Sequence, residues 1–243
     1  MTILENSIIR MHSYKQISHN PEPKVIGVKN GVYQLEFSEK ELRKNDNFKD
    51  INNVLLSYNP NFVNEQEQVA NLEIEHLSAS FLKSAKETDL VVFTPHFNGY
   101  KYIISEKFLE CLKELEVSEE DYKIRKVHIT GTEQNYYLLF IPMIPTSEIV
   151  FSKSAIFPEE DALIDEVDRR YLSFKNYQEF KDYSEENLFY RWAKIALDKH
   201  YAKRDIISLQ TGSIFFSDRL VQYFKFRSIT SLVIKNGPVL VFD

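Results

Sequence analysis

Residues 102–112 read Tyr-Ile-Ile-Ser-Glu-Lys-Phe-Leu-Glu-Cys-Leu, a short apolar strand that stops at a serine and continues as a helix. A second copy, residues 214–224, reads Ile-Phe-Phe-Ser-Asp-Arg-Leu-Val-Gln-Tyr-Phe and matches the first in residue class. A serine oxygen can accept a free N–H of the first helical turn, and the acid behind it complements the helix dipole. We therefore predict that Ser105 and Ser217 are structural helix caps.

Each copy is followed by two further strand patterns. They lie at 124–129 and 136–141 after the first copy, and at 232–235 and 239–242 after the second. The sequence therefore predicts an α+β fold with mixed, largely antiparallel sheets, packed helices and two similar β-α-β-β units. The two copies can reflect a duplication, or the same capping solution can have arisen twice.

The N-terminal region has weaker patterns. One strand is predicted around Ile8–His12, and apolar alternation on both sides of Asn30-Gly31 predicts a β-hairpin. Apolar residues at helical spacing predict a helix over 78–87. The predicted organisation is an N-terminal hairpin and helical region over 1–87 and an α+β region over 88–243, or one continuous domain 1–243.

Charge and cysteine content limit the function classes. The 243 residues have a net charge of −6, which argues against a general binder of nucleic acid or anionic membranes. Cys111 is the one cysteine, which excludes an intrachain disulfide and suits a reducing compartment. Neither a signal-peptide pattern nor an apolar run of about 18 residues is present. We expect a cytoplasmic protein with no nucleic-acid or membrane partner.

Motifs for catalysis and cofactor binding are missing from the sequence. The six glycines form neither a dinucleotide fingerprint nor a P-loop, and the six histidines lack zinc-site spacing. His96 is the best-placed candidate for catalysis because it follows Pro95 in a loop, and loops often carry function. Ser105 and Ser217 lie outside any nucleophile elbow. We predict no catalytic residue, no cofactor and no metal.

An acidic and aromatic segment at residues 159–186 departs from ordinary patterning, with ten acids, four bases and an aromatic at every third position from Tyr171 to Tyr183. Five aromatics at that spacing fan over about 240° of an α-helix, which is wider than one buried face. Either the segment is not one straight helix, or some rings are exposed for binding. A helical region is predicted from about 158 to 204, and its last helix places Leu188, Trp192, Ile195 and Ala196 in the core.

Several stretches resemble one protein family. They are Thr88–Val91, Asn98–Phe108, Lys126–Ile129 with Tyr136–Leu139, Ser154 after Ile149–Phe151, and Ile214–Leu220 with Ile229–Leu232. Together they resemble the immunity proteins of bacterial polymorphic-toxin systems over roughly residues 88–242. Ser231 departs from the pattern, since the family favours glycine there. The resemblance implies a cytoplasmic antidote that blocks a cognate protein toxin by stoichiometric binding, not by catalysis.

The sequence thus favours an immunity (antitoxin) protein that acts as a monomer or homodimer. The predicted partner-binding residues are Asp161, Asp165, Glu166, Asp168, Tyr171, Phe174, Tyr177 and Tyr183. The acids would steer a basic toxin by long-range attraction. Two alternatives are a hydrolase or transferase whose site includes His96, and a scaffold protein that self-associates through the same aromatics.

Overall fold

The computed structural model describes residues 13–243, so the strand predicted at Ile8–His12 lies outside the described residues. The strands are β1 (Tyr14–His19), β2 (Leu35–Phe37), β3 (Ser78–Phe81), β4 (Leu90–Val91), β5 (Phe93–Thr94), β6 (Tyr100–Ser105), β7 (Lys123–Thr130), β8 (Tyr136–Phe140), β9 (Met143–Ile144), β10 (Ala155–Pro158), β11 (Tyr190–Leu197), β12 (Ile206–Leu209), β13 (Ile214–Ser217), β14 (Leu232–Ile234) and β15 (Val239–Phe242). The α-helices are α1 (Pro23–Ile26), α2 (Glu39–Leu42), α3 (Phe48–Ile51), α4 (Phe62–Asn71), α5 (Glu106–Glu114), α6 (Tyr177–Glu186) and α7 (Asp218–Phe226). Within residues 13–243, no helix is long and apolar enough to cross a bilayer.

Ser105 and Ser217 cap helices α5 and α7, as the sequence predicts. The Oγ atom of Ser105 accepts the N–H of Phe108 at 3.2 Å, and that of Ser217 accepts the N–H of Leu220 at 3.4 Å. Each cap stabilises its helix by about 1 kcal/mol. Both helices then bury an apolar face, which for α5 includes Phe108, Leu109 and Leu112.

A buried aspartate stands behind each capping serine. Ser105 Oγ donates to Asp89 Oδ1 at 2.6 Å, and Ser217 Oγ donates to Asp205 Oδ1 at 2.5 Å. The N–H of each serine also donates to the backbone carbonyl of the same aspartate, at 3.0 Å and 2.8 Å. Each serine therefore joins the end of one strand to the start of its antiparallel neighbour.

The base that follows each serine by two positions links the two helices to each other. Lys107 Nζ donates to the carbonyl of Ser228 at 2.9 Å, just beyond the end of α7. Arg219 donates in turn to the carbonyl of Leu115 at 3.1 Å, just beyond the end of α5. Cations are favourable at helix C-termini because of the helix dipole. The two helices therefore lie antiparallel, and each holds the end of the other.

The C-terminal ends of α5 and α7 also resemble each other. Glu116 and Ser228 have positive φ values of 50° and 52° after α5 and α7. The next residue donates back to a carbonyl of the last helical turn: Val117 to Leu112 and Ile229 to Phe224, both at 2.9 Å. This is the Schellman pattern of helix termination. The similarity therefore covers cap, buried aspartate, inter-helix contact and helix end, which favours the duplication alternative over a shared cap alone.

Most strand pairs are antiparallel, and the sheets are mixed, which confirms the predicted fold class. The strand orders are β4-β6-β8-β7-β3-β2-β5, β14-β1-β13-β12-β9 and β10-β11-β15. In the first unit β8 lies between β6 and β7. In the second unit β1 takes that middle place, between β13 and β14. The last strand, β15, instead pairs in parallel with β11.

Strands from both sides of residue 87 share these sheets. In the seven-stranded sheet β2 pairs with β3 and β5, and β3 also pairs with β7. The strand β1 lies in the five-stranded sheet with β13 and β14. Residues 13–87 therefore contribute strands to sheets that residues 88–243 also build.

The predicted hairpin at Asn30-Gly31 is wrong. Pro23 begins the short helix α1, a position where its missing N–H is not needed, and Gly27 with φ 81° ends it. Asn30 Oδ1 then accepts the N–H of Val32 at 2.8 Å in a local turn. The apolar residues before the turn do not need a β-strand to be buried, since Ile26 and Val28 are both buried in this arrangement.

Two predicted helices are strands. Residues 78–81 form β3 between β2 and β7, so cross-strand pairing overrides the helical spacing that favoured 78–87. In place of the helix predicted through Leu188, Trp192 and Ile195, strand β11 begins at Tyr190, after Leu188, and lies between β10 and β15. Its consecutive buried residues Ile195, Ala196 and Leu197 are typical of a strand covered on both faces.

Ser231, where the family resemblance favours glycine, keeps a conformation that glycine adopts readily. Its φ is 63°, and its carbonyl accepts the N–H of Asn20 at 2.8 Å. A non-glycine residue in this region is disfavoured by about 1–2 kcal/mol. The turn before β14 therefore carries a non-glycine residue in the left-handed conformation.

Three apolar clusters make up the core of the described residues. One lies among α3, α4 and the seven-stranded sheet, and one lies around α5 and α7, where the rings of Phe108 and Phe224 are 4.4 Å apart. The third packs Phe151, Phe180 and Trp192 beneath the acidic segment. This third cluster fixes the position of the candidate site.

Candidate functional site

The acidic segment is not one straight helix, which confirms one of the two alternatives drawn from its aromatic spacing. It contains 3₁₀ turns at Glu159–Leu163 and Glu166–Asp168 before helix α6 begins. Asn176 caps α6, since its Oδ1 accepts the N–H of Glu179 at 3.0 Å. The segment then returns to the sheet as strand β11.

Its aromatic residues divide between the core and the surface. Phe180 is buried, and the Phe174 ring lies 5.6 Å from that of Phe180 and 5.3 Å from that of Tyr183. Phe174 and Tyr183 are thus half-buried against the third cluster. Tyr171 and Tyr177 are exposed, so these two remain accessible among the predicted contact aromatics.

Asp161 has a structural role, which corrects its place among the predicted contact residues. Its side chain is only 2% exposed, and it accepts hydrogen bonds from the Nε atom of Arg170 at 2.9 Å and from the backbone N–H of the same arginine at 3.0 Å. These bonds lower the pKa of Asp161. The aspartate therefore closes the loop between the two 3₁₀ turns and Arg170.

The other three predicted acids are exposed together with apolar residues that the sequence reasoning missed. Asp165, Glu166 and Asp168 lie on the exposed turns. Between and beside them, Leu163 is 99% exposed and Val167 is 90% exposed. The chain here presents aliphatic side chains to solvent among carboxylates. We call residues 163–168 the acidic-apolar turn.

Phe189, just before β11, is a further exposed apolar residue beside this segment. It is 79% exposed, and its carbonyl accepts the N–H of Glu159 at 3.0 Å, which places it beside the first 3₁₀ turn. Leu188 is also exposed, although the sequence reasoning places it in the core. In the sequence, both residues follow the acids Glu185 and Glu186 and belong to no continuous apolar face of a helix. This is the signal that could have placed them in solvent.

A cleft of about 790 Å³ opens between the same segment and the loop from β14 to β15. Its lining residues are Gln16, Phe157, Ala162, Glu166, Arg169, Tyr171, Tyr190, Arg191, Trp192, Ala193, Ser213, Lys235, Asn236, Gly237, Pro238 and Val239. Three cations and one carboxylate therefore face the cleft, in a chain whose net charge is −6. Of the predicted contact residues, the structure brings Glu166 and Tyr171 into this lining.

The remaining candidates for chemistry lie apart from the cleft. His96 is exposed on the loop before β6 and lines two open grooves with Leu56, one of about 890 Å³ that also includes Pro95 and one of about 330 Å³. Cys111 is buried on α5, and burial raises its thiol pKa. In the part of the chain that the structure describes, no group of His, Cys, Asp and Glu side chains is arranged to hold a metal ion.

No family model, curated protein or solved structure matches this chain.

Proposed function

We propose that this chain is an immunity protein, which binds a cognate bacterial toxin by stoichiometric protein–protein contact and neutralises it in the cytoplasm. The observation that carries the proposal is the exposure of Leu163 and Val167 among carboxylates, with the exposed Phe189 beside the start of the same segment. Apolar side chains that remain exposed together are typical of surfaces that bind another protein. The resemblance over residues 88–242 supplies the kind of partner.

The charges of this segment support a basic partner. The acidic-apolar turn carries Asp165, Glu166 and Asp168, and no ion pair satisfies them within residues 13–243. Such a carboxylate rim raises the encounter rate with a positively charged protein, while apolar residues inside the rim supply contact area. A toxin that acts on nucleic acid would present such a basic surface.

The probe for this proposal is the toxin domain of the large secreted protein that is encoded nearest to this chain's gene. We expect a complex of one toxin domain per chain, and loss of toxin activity that is complete at one equivalent. Titration of the toxin with the purified chain, with the mass of the complex measured in solution, checks both. Protection at a small fraction of one equivalent would contradict stoichiometric binding and favour the enzyme alternative, and absence of a complex would contradict the proposal itself.

Replacement of Phe189 by serine should raise the Kd for the toxin at least tenfold, because an aromatic hot spot of an interface contributes about 2 kcal/mol or more. The matched control is Phe226→Ser, since Phe226 is also 79% exposed but lies at the end of α7. Calorimetric titration of both variants measures the effect. Equal affinities for the two variants would remove Phe189 from the interface.

Neutralisation of the acidic-apolar turn should slow association. The triple variant Asp165→Asn, Glu166→Gln and Asp168→Asn should lower the on-rate about 3- to 10-fold at low salt, and the difference should shrink as salt shortens the Debye length. Stopped-flow association at several salt concentrations provides the measurement.

The control for this triple carries the same charge change elsewhere. It combines Glu119→Gln, Glu120→Gln and Glu133→Gln, all at exposed positions. If both triples slow association equally, the net charge of the chain steers the partner and the turn does not.

A further inference from the structure

The cleft contains an arginine whose guanidinium is held in place while its outer donors are free. The Cζ atom of Arg169 lies 4.9 Å from the centre of the Phe157 ring, and Nε donates to the carbonyl of Ile164 at 3.1 Å. Among the described residues, its two terminal nitrogens have neither a hydrogen-bond acceptor nor an acid within ion-pair distance. A planar guanidinium fixed in this way presents two parallel N–H donors, the geometry that binds a two-oxygen anion.

A second cation of the cleft is also free. Lys235 follows β14, and its backbone N–H donates to the carbonyl of Gln16 at 2.9 Å, which fixes the start of the loop. Its exposed ammonium makes no hydrogen bond to any residue in the range 13–243. Arg191 differs, because Glu159 already binds its guanidinium through two oxygens. Arg169 and Lys235 are therefore the cations that can receive a ligand.

We propose that this cleft receives an acidic residue of the protein partner, whose carboxylate binds the fork of Arg169 and the ammonium of Lys235. The inference rests on the proposed function and adds the chemistry of the partner segment. Tyr171 supplies part of the wall, and its hydroxyl donates to the carbonyl of Glu166 at 3.0 Å, which holds the ring in place. Pro238 and the exposed Val239 also line the cleft and supply apolar contact.

The charges around the cleft favour a protein segment over a free small anion. Glu166 lines the cleft, and Asp165 and Asp168 lie on the same turn. A free anion would be repelled by these carboxylates before it reached Arg169. A segment with basic residues on either side of one acid satisfies the carboxylates and the cations together, so the occupant is a partner segment of mixed charge.

The test measures the Kd for the toxin domain used above. We expect Arg169→Met to raise the Kd about 10- to 100-fold, because a hydrogen-bonded charge loses its partner. Arg169→Lys keeps the charge but not the fork and should raise the Kd at least fivefold, whereas Lys235→Met should raise it about threefold. The matched control is Arg43→Met, since Arg43 also stacks on an aromatic ring, that of Phe48 at 5.1 Å, away from the cleft. Melting temperatures confirm that each variant is folded.

Two failures are distinguishable. If the toxin domain binds the wild-type chain and the Arg169→Met variant equally, the inference is overturned while the proposed function stands. If it binds neither, the proposed function fails, and the cleft is then tested alone by NMR with the peptides acetyl-Lys-Asp-Lys-amide and acetyl-Lys-Asn-Lys-amide. Shifts of the Arg169 Nε–H signal with the aspartyl peptide alone support the inference. Equal shifts with both peptides, with neither, or with acetate at the same concentration overturn it.

Discussion

Replacement of Asp205 by alanine should lower the free energy of unfolding by about 3 kcal/mol, the lower end of the range for breaking a buried ion pair. Asp205 is buried and accepts hydrogen bonds from Ser217 at 2.5 Å and from the Nε atom of Arg219 at 2.7 Å. Its loss leaves the cap of α7 without the group that orients it. The lower end applies because the Arg219 side chain is partly exposed and can be solvated.

Urea denaturation of the purified chain measures this effect. Asp165→Ala is the control, because Asp165 is exposed and its removal should change stability by less than about 0.5 kcal/mol. A loss below about 1 kcal/mol for Asp205→Ala would mean that the buried pair is not a determinant of the fold. The same comparison applies to Asp89, which accepts from Ser105 and from the hydroxyl of Thr230 at 2.8 Å.

Replacement of Phe108 by alanine should destabilise the chain by about 3–5 kcal/mol, because a large cavity opens in a packed core. Phe108 is fully buried, and its ring lies 4.4 Å from that of Phe224 and 6.3 Å from that of Phe216. Phe224→Ala should have a similar effect, and the double variant should lose less than the sum because both changes empty the same space.

The midpoint of urea unfolding reports this loss. The control is Phe226→Ala, because Phe226 lies on the same helix as Phe224 but is exposed. This change should alter the free energy of unfolding by less than about 0.5 kcal/mol. Strict additivity of Phe108→Ala and Phe224→Ala would show that α5 and α7 are stabilised independently, which would contradict their packing in one cluster.

The parts of the fold that the sequence predicts are those fixed by nearby residues. Ser105 and Ser217 bond to N–H groups three positions away, so the caps and helices are visible in the sequence. The aspartates behind them lie 16 and 12 positions upstream, and no local pattern connects them. The same reason explains β3 and β11, whose strand form depends on neighbours that are distant in sequence.

The candidate site shows the same division. The acid excess of residues 159–186 follows from composition, whereas the aromatic spacing leaves open whether the segment is not one straight helix or exposes some of its rings. The buried Asp161 binds Arg170, nine positions later. The sequence alone does not distinguish this aspartate from the exposed acids that follow it. Leu163 and Val167 look like core residues by type, and only the structure places them in solvent. The position of the Arg169 guanidinium likewise depends on its contact with the ring of Phe157, 12 positions earlier in the chain.

The position of β1 between β13 and β14 has a consequence for synthesis on the ribosome. At about 5–20 residues per second, roughly 10–40 s pass between the emergence of Tyr14 and that of its partner Ser217. The first unit can assemble during this time, because β6, β7 and β8 lie close together in the chain. Strand β1 therefore has no partner for either of its hydrogen-bonding edges until β13 and β14 have been synthesised.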